Sequence, residues 1–128
     1  TTGKPWIMVN PNYTTINAKE QLARPDSVFH YYQKLIALRR HSEDSELIVY
    51  GRYQLLLPDD PQLFVYTRTL GDKTLLVACN LSGKDAAFAC PVSAEGRKAR
   101  LLIANDEVPA VPGDCTFGPW QAAAWVLE

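Results

Sequence analysis

The stretch RYQLLLPDDPQLFVYTRTLGDKTLLVACNL, residues 52–81, decides the fold of this chain. Three runs rich in Leu, Val, Phe, Tyr and Thr are separated by two turn sequences, which is the pattern of consecutive antiparallel strands. Pro58 and Pro61 bracket two Asp residues in the first turn, and Gly71 can take the positive φ of a tight hairpin in the second. The last run, LLVACNL, is apolar on both faces, so we predict that it is a central strand.

We predict strands from Leu47 onward, and the same strand and turn patterns recur after residue 81. The runs DAAFACPV, KARLLIAN, CTF and QAAAWVLE alternate with turn sequences and bring the total to roughly seven short strands. Strands at this spacing indicate an antiparallel sandwich or an open barrel. We predict a mainly β fold whose C-terminal domain is an antiparallel Greek-key β-sandwich, preceded by a loop arm and one α-helix.

That helix is predicted from about residue 27 to residue 41. Pro25 cannot continue an earlier helix, and Asp26 or Ser27 offers a side-chain oxygen to cap the first free N–H groups. An apolar stripe then follows at helical spacing: Val28, Phe29, Tyr32, Leu35, Ile36 and Leu38. Because one helix cannot cover its own apolar face, we predict that it packs partly on the sandwich and partly on a neighbour outside these residues.

Residues 1–26 form an arm with three Pro, three Asn and one Gly, which we interpret as a loop with a helical turn near Ala18 to Ala23. Irregular segments of this length are uncommon unless they serve a site or belong to a larger body. The first residue is not Met, and we therefore expect a piece of a longer chain. Trp6 and Tyr13 in the arm could stack on a sugar ring or anchor the arm to a core.

Composition excludes several classes of partner. Lys and Arg number 13 against 14 acidic residues, for a net charge of −1, so we expect no nucleic-acid binding and no attraction to an anionic membrane. No apolar run approaches the length of a membrane helix, and from the residues TTGKPWIM we expect no secretory signal. Cys79, Cys90 and Cys115 lack the spacing of a zinc site or a disulfide framework, which fits reduced thiols and a cytoplasmic protein.

The sequence contains histidines, serines and acidic residues, but their spacing does not match a known catalytic motif. His30 and His41 are interpreted as surface or helix-end residues, and no serine lies in a GxSxG elbow. The acidic residues of polar, turn-like sequence are predicted to be solvated carboxylates: Glu43, Asp44, Glu46, Asp59, Asp60, Asp106 and Glu107. We therefore predict no catalytic residue, no metal site and no cofactor. Trp120 and Trp125 lie in the closing strand pattern and are predicted in the core or at a domain interface.

Two segments carry a resemblance to a known family. TTGKPWIMVNPNYTTINA followed by PDSVFHYYQKLIALRR is similar to the α-glucosidase and oligo-1,6-glucosidase branch of glycoside hydrolase family 13, in the α-amylase superfamily. VYGRYQLLLPDDPQLFVYTRT, LLVACNLS and GPWQAAAWVL resemble the C-terminal β domain of the same enzymes. The resemblance implies that residues 1–42 are the last loop and last helix of a (β/α)8 barrel, and that residues 43–128 are the β domain.

The resemblance also implies where chemistry resides. The family's retaining mechanism uses an Asp nucleophile, a Glu acid/base and a second Asp, at the ends of the fourth, fifth and seventh barrel strands, and no acid here matches those motifs. The chain alone is expected to be inactive, with Trp6, Asn12 and Tyr13 on the rim of a substrate site. The implied parent hydrolyses terminal α-1,6 or α-1,4 glucosidic bonds of short oligosaccharides, and its barrel and substrate are the expected partners.

Three alternatives remain open from the sequence. The parent could be a trehalose-6-phosphate hydrolase or a sucrose isomerase, because their C-terminal sequences are similar. The chain could instead be a free-standing carbohydrate-binding β-sandwich module that uses Trp6, Tyr13 and Trp120 as stacking platforms, although we expect no such binding. Finally, it could be a structural domain that self-associates through the exposed helix face.

Overall fold

The computed structural model describes residues 2–128 as a helical N-terminal part followed by seven strands. The helical part comprises a 3-10 turn Pro11–Thr14, α1 Ala18–Ala23, α2 Val28–His41 and α3 Ser45–Tyr50. The strands are β1 Arg52–Leu55, β2 Leu63–Leu70, β3 Lys73–Asn80, β4 Ala86–Phe88, β5 Ala99–Ala104, β6 Cys115–Phe117 and β7 Ala122–Leu127. The predicted helical turn, the long helix and the seven strands are all confirmed.

The strands form two antiparallel layers. The larger sheet has the order β1-β2-β3-β7-β5, and the smaller one pairs β4 with β6. β3 therefore lies between β2 and β7, which confirms the prediction of a central strand made from its two apolar faces. Gly71 has φ 61° in the hairpin between β2 and β3, where Leu70 pairs with Lys73. The predicted mainly β, antiparallel sandwich is thus confirmed.

The main core fills the space between the two sheets. Alternate residues of the larger sheet point inward and meet the aromatic side chains of β4 and β6, as the two-residue period of a strand requires. Trp125 is 1% exposed and its ring contacts Phe117, which in turn packs edge-on against Phe88. The Trp125 indole N–H donates to the carbonyl of Pro109 at 2.9 Å, so its one polar group is satisfied.

The opposite face of the larger sheet is covered by α3, which the sequence did not predict. We expected strands from Leu47 onward, whereas Ser45–Tyr50 is a helix and Leu47 is buried against Leu75 and Val126. The physical reason is tertiary packing, because a six-residue helix cannot form from propensity alone. Gly51 ends the helix where a Cβ would collide with the Leu47 carbonyl oxygen and the Arg68 side chain, so the chain approaches the sheet very closely there.

Asp44 is not the solvated carboxylate that the sequence predicted. It immediately precedes α3, is 1% exposed, and forms an ion pair and hydrogen bond with Arg100 of β5. Lys73 of β3 lies 3.9 Å from its second oxygen, which has no hydrogen-bond partner. Glu43 pairs with the same Arg100 at 3.1 Å, and Glu128 pairs with Lys73 at 3.1 Å. The turn-like sequence around Asp44 therefore connects the start of α3 to the larger sheet through ion pairs.

Asp59 and Asp60 in the PDDP turn provide a matched test of the fold. Asp60 accepts hydrogen bonds from the backbone N–H groups of Gln62 at 2.9 Å and Leu63 at 2.8 Å, whereas Asp59 is exposed. We expect Asp60→Ala to lower the free energy of unfolding by about 1 kcal/mol and Asp59→Ala to leave it within about 0.5 kcal/mol. Urea denaturation of both variants at pH 7 measures the difference.

The contribution of Asp60 to the free energy of unfolding should also depend on pH. The N–H groups of Leu63 and then Gln62 hold the pKa of Asp60 below its ordinary value of 3.8. A carboxyl with a lowered folded-state pKa contributes stability above its unfolded pKa, and this is lost as pH falls through the folded value. The stability difference between the unmodified chain and Asp60→Ala should therefore shrink below about pH 4. Equal effects of the two alanine variants at pH 7 would contradict this account of the turn.

Candidate functional site

The N-terminal arm is folded locally by asparagine side chains. Asn10 accepts from the N–H of Asn12 at 3.1 Å and caps the 3-10 turn, while Asn17 caps α1 by accepting from Glu20 at 3.1 Å. The Asn17 amide also donates to the Tyr13 carbonyl at 3.0 Å, which ties the turn to the helix. The irregular sequence thus has a defined local structure, because short polar side chains replace the missing backbone partners.

The predicted rim residues are placed differently along this arm. Asn12 and Tyr13 are neighbours in the 3-10 turn, and the Asn12 carbonyl accepts from the N–H groups of Thr15 and Ile16. Trp6 lies ahead of the turn on irregular backbone and is 94% exposed. The sequence left open whether the aromatic residues of the arm stack on a sugar or anchor the arm to a core. Trp6 does not anchor the arm to a core within residues 2–128.

Helix α2 has two apolar sides, only one of which faces the sheet. Ser27 caps its start by accepting from the N–H of His30, as predicted from the PDS sequence. Tyr31, Leu35 and Leu38 line a cavity whose other wall is the outer face of the larger sheet. On the other side the larger apolar residues of the helix are exposed, with Tyr32 at 61% and Ile36 at 55%. No residue of α2 is buried and the helix faces the sheet across this cavity, so its packing on the sandwich stays a prediction.

The exposed side of α2 is an apolar surface in its own right. A shallow groove runs along it, lined by Val28, Phe29, Tyr32, Gln33 and Ile36. We call this set the outer helix face. Contiguous apolar surface of this kind marks an interaction site rather than a solvated face.

The cavity between α2 and the sheet has a volume of about 230 Å³. Its wall includes the Cys79 thiol and the rings of Tyr31 and Tyr66. Burial raises the pKa of Cys79, and burial followed by the nearby Cys79 raises the pKa of both tyrosines. Cys79 is therefore a neutral, weakly nucleophilic thiol at pH 7, and this apolar cavity carries no acid–base chemistry.

Ser27 and His30 lie close together but do not form a nucleophile and base. The Ser27 hydroxyl donates to the Gln21 carbonyl at 2.6 Å. His30 Nδ1 lies 2.9 Å from the Arg24 carbonyl, which can only accept, so Nδ1 carries the proton and cannot take one from Ser27. The arrangement fixes the turn before α2, in agreement with the helix-end role predicted for His30.

Three of the acidic residues considered in the sequence serve the fold. Glu43 and Asp44 are engaged in ion pairs, and Asp60 caps a turn. No group of three or more His, Cys, Asp and Glu residues within residues 2–128 is arranged to hold a metal ion. None of the helices in this described part of the chain is long and apolar enough to cross a membrane.

Trp120 and Trp125 were both predicted in the core or at a domain interface, and the structure places them differently. Trp125 is in the core, whereas Trp120 is 63% exposed in the turn before β7, so it is outside the core of residues 2–128 and its place at a domain interface stays a prediction. Gln121 N–H donates to the Gly118 carbonyl at 3.2 Å, and Trp120 has φ 59° after Pro119. Proline second and positive φ third are the signature of a type II turn, so the GPW tripeptide was the signal that we missed.

Two family models together match most of the chain. Residues 53–123 match the "Maltogenic Amylase, C-terminal domain" family, and residues 1–51 match the "Alpha amylase, catalytic domain" family. The first match spans β1 to the start of β7, and the second contains the arm and all three α-helices. The resemblance of both segments to α-amylase-family enzymes is therefore confirmed.

Individual relatives agree with these matches. The chain is 45% identical over 130 residues to the oligo-1,6-glucosidase of Parageobacillus thermoglucosidasius, covering 100% of this chain and 23% of that protein. Among solved structures, the trehalose-6-phosphate hydrolase of Bacillus licheniformis matches with a TM-score of 0.91 at 41% identity, over 100% of this chain and 23% of that one. The isomaltulose synthase of Klebsiella sp. LX3 matches with a TM-score of 0.84 at 37% identity, over 100% and 22%.

The chain spans less than a quarter of the length of these relatives. Its two family matches describe one continuous segment in which a stretch of catalytic-domain sequence leads into a β-sandwich. The chain belongs to the maltogenic amylase C-terminal domain family, joined at its N-terminal side to a segment of the α-amylase catalytic domain family.

Proposed function

We propose that this chain is the C-terminal part of an α-glucosidase that hydrolyses terminal α-1,6 or α-1,4 glucosidic bonds of short oligosaccharides with retention of configuration. The observation that carries the proposal is the exposed outer helix face of α2, in a chain whose oligo-1,6-glucosidase relatives are about four times as long. An apolar helix face needs a scaffold to cover it. A (β/α)8 barrel, whose outer ring consists of such helices, is that scaffold.

The packing of the helices supports a division of the chain into two parts. We propose that residues 1–42 complete the barrel and that residues 43–128 form the β domain. Helix α3 supports the boundary near residue 43, because Leu47 is buried on the sheet and Asp44 is ion-paired to Arg100 of β5. Helix α2 meets the sheet only across the cavity of about 230 Å³ and presents its other side outward.

The arm then lies where substrate enters. In a barrel of this type the loops that follow the strands build the active-site face, and each loop leads into the N-terminal end of the next helix. The arm precedes α2 in this way, and we propose that Trp6, Asn12 and Tyr13 lie on the rim of that face. The exposed Trp6 and Tyr13 rings support this role, since each has aromatic surface free to stack on a sugar.

The reacting carboxylates belong to the barrel rather than to this chain. A retaining glycosidase needs two carboxyl groups about 5 Å apart, one as nucleophile and one as acid/base. The acids whose contacts were described above cap turns or form ion pairs. We propose that the role of residues 43–128 is structural, and that the protein acts in the cytoplasm, which the free thiols of Cys79, Cys90 and Cys115 support.

The proposal predicts activity for the full polypeptide and none for this chain. With a catalytic barrel ahead of residue 1, the protein should release glucose from isomaltose or maltose, and proton NMR should show the α-anomer of glucose first. Residues 1–128 alone should release none under the same conditions. Glucose release by the chain alone would overturn the assignment of the chemistry to the barrel.

A substrate panel separates the closest alternatives. The relative with a TM-score of 0.91 is a trehalose-6-phosphate hydrolase, so trehalose 6-phosphate belongs in the panel beside isomaltose and maltose. Sucrose belongs there as well, because the isomaltulose synthase match is 37% identical. Turnover of trehalose 6-phosphate or isomerisation of sucrose, with no hydrolysis of isomaltose or maltose, would replace the α-glucosidase proposal.

A further inference from the structure

Two cysteines lie at the same end of the smaller sheet and on its inner side. Phe88 of β4 pairs with Cys115 of β6, and Cys90 follows Phe88 by two residues. Since alternate residues of an extended chain face the same way, Cys90 and Cys115 share the side on which Phe88 and Phe117 are buried. Both half-buried cysteine side chains pack against the main core, whereas Ala89 is exposed. The two thiols are therefore diagonal neighbours on one face of this sheet.

A carboxylate holds the backbone of Cys90 beside β6. The Cys90 N–H donates to the Asp114 side chain at 2.8 Å, and Asp114 immediately precedes Cys115. Burial raises the pKa of the Cys115 thiol, and the nearby Cys90 and Asp114 raise it further. The influence of Cys90 on Cys115 agrees with the closeness that the strand register and the hydrogen bond indicate.

The separation of the two cysteines is small enough for a disulfide to close. Diagonal neighbours in an antiparallel pair lie about 7 to 8 Å apart between Cα atoms, and the Cα atoms of a disulfide lie about 4.4 to 6.8 Å apart. Pairing of β4 with β6 ends at Phe88, so the segment that carries Cys90 can approach Cys115 without breaking a strand pair. Both cysteines are free thiols in this structure.

The third cysteine is kept apart from this pair. Cys79 of β3 lines the cavity between α2 and the outer face of the larger sheet. Cys90 and Cys115 lie on the other side of that sheet, against the main core. The fold thus brings Cys90 together with Cys115, although Cys79 is much nearer to Cys90 in the sequence.

The pair lies in the layer of the fold that is farthest from α2. The larger sheet and the main core separate the smaller sheet from that helix. Under the proposed function α2 belongs to the barrel, so the barrel lies on the other side of the larger sheet. A small oxidant can therefore reach β4 and β6 in the full polypeptide as well as in this chain.

We propose that Cys90 and Cys115 form a reversible oxidation site that exchanges with small-molecule disulfides of the glutathione type. Oxidation joins the two thiols in an intramolecular disulfide that links the end of β4 to the start of β6. Reduced glutathione returns them to thiols by the reverse exchange. The site responds to the ratio of the two forms of the small thiol, and its chemistry is independent of glycoside hydrolysis.

The exchange balances in two steps. The Cys90 thiolate attacks one sulfur of glutathione disulfide, the S–S bond breaks, and a mixed disulfide forms as one glutathione thiolate leaves. The Cys115 thiol then loses its proton to solvent and attacks the Cys90 sulfur, which displaces the second glutathione as a thiolate that takes up a proton. Because its raised pKa makes the Cys115 thiolate scarce at neutral pH, Cys115 is assigned to the intramolecular step, where the high local concentration compensates.

Peptide mapping of the oxidised chain tests the pairing. The chain is incubated with glutathione disulfide at mildly alkaline pH, its free thiols are blocked, and it is digested without reductant. Trypsin cleaves after Lys84 and after Arg97, so each cysteine falls in its own peptide. The folded chain should give the peptide pair linked through Cys90 and Cys115 as its main product. In concentrated urea the shorter loop should instead favour Cys79 with Cys90 by about threefold.

Single substitutions provide the controls. Cys79→Ala should leave the rate of crosslinking within about twofold, because Cys79 lies on the other face of the larger sheet. Cys115→Ser should abolish the intramolecular disulfide and leave a glutathione adduct on Cys90. Cys90→Ser should abolish the disulfide as well. The same product distribution in the folded chain and in urea, or glutathione adducts on both cysteines of the folded chain without a crosslink, would overturn the site.

The full polypeptide completes the test. The Cys90–Cys115 link should form there at a rate within about threefold of that in this chain, because the pair lies on the side away from α2. A link that forms in this chain and is absent from the full polypeptide would overturn the site as a property of the whole protein. Release of glucose from isomaltose or maltose is measured separately, so the α-glucosidase proposal and the oxidation site can fail independently.

Discussion

Asp44→Asn should lower the free energy of unfolding by about 2 to 3 kcal/mol, whereas Asp59→Asn should change it by no more than about 0.5 kcal/mol. Both variants replace a carboxylate with a neutral group of the same size. Asp44 is 1% exposed and bonded to Arg100, while Asp59 is exposed in the PDDP turn. Urea denaturation followed by the fluorescence of the buried Trp125 measures both values.

The size of the expected loss follows from what remains after the substitution. Removing one partner of a buried ion pair leaves the other charge desolvated, which costs about 3 to 5 kcal/mol when both are fully buried. Here Arg100 and Lys73 each retain about a third of their side-chain exposure and have second acidic partners in Glu43 and Glu128. Water and these partners compensate for part of the lost interaction, so the smaller figure applies.

A double-mutant cycle separates the pair from the burial of Asp44 itself. Arg100→Met removes the other main partner and keeps the aliphatic bulk. If the Asp44–Arg100 interaction is the source of the effect, Asp44→Asn combined with Arg100→Met costs less than the sum of the single changes. Additive losses, or an Asp44→Asn variant as stable as Asp59→Asn, would show that this ion pair does not hold α3 to the sheet.

The strands and the long helix could be predicted because local sequence dictates them. Gly71 permits the hairpin between β2 and β3, Ser27 caps α2, and the apolar run of β3 requires a strand with neighbours on both faces. In each case the deciding residues lie within a few positions of the element that they define. Pattern and propensity are then sufficient, because no distant contact has to override them.

The residues that the sequence placed wrongly depend on distant partners or on a turn. Helix α3 exists because Leu47 packs on β3 and β7, and Asp44 is buried because Arg100, 56 residues further along the chain, reaches it. A polar run such as SEDSE gives no sign of either contact. Trp120 lies outside the core because it has positive φ in the turn that precedes β7.

The candidate site, like the fold, could be predicted only in part from the sequence. That α2 has a face requiring a partner could be predicted from its stripe of apolar residues, and the exposed outer helix face agrees with that prediction. Which side of the helix meets the sheet could not be predicted, because Leu35 and Ile36 are equally apolar in the sequence. The cavity shows the answer: Leu35 lines it, and Ile36 points away.

A second large effect is expected from burial of the outer helix face in the full protein. Ile36 is 55% exposed in this chain and lies in the groove of that face. With an introduced cysteine at this position, reaction with a thiol reagent should be fast in the chain alone. If a barrel covers the face, access requires local opening, and an opening free energy of about 3 kcal/mol slows the reaction about a hundredfold.

The labelling rate of Ile36→Cys, compared between this chain and the full polypeptide that carries a barrel, tests the central claim most directly. Cys79, Cys90 and Cys115 are first replaced by alanine, and Ala87→Cys on the exposed side of β4 serves as the matched control. The account predicts slowing of about a hundredfold at position 36 in the full polypeptide and equal rates at position 87. Equal rates at position 36 in both proteins would contradict it.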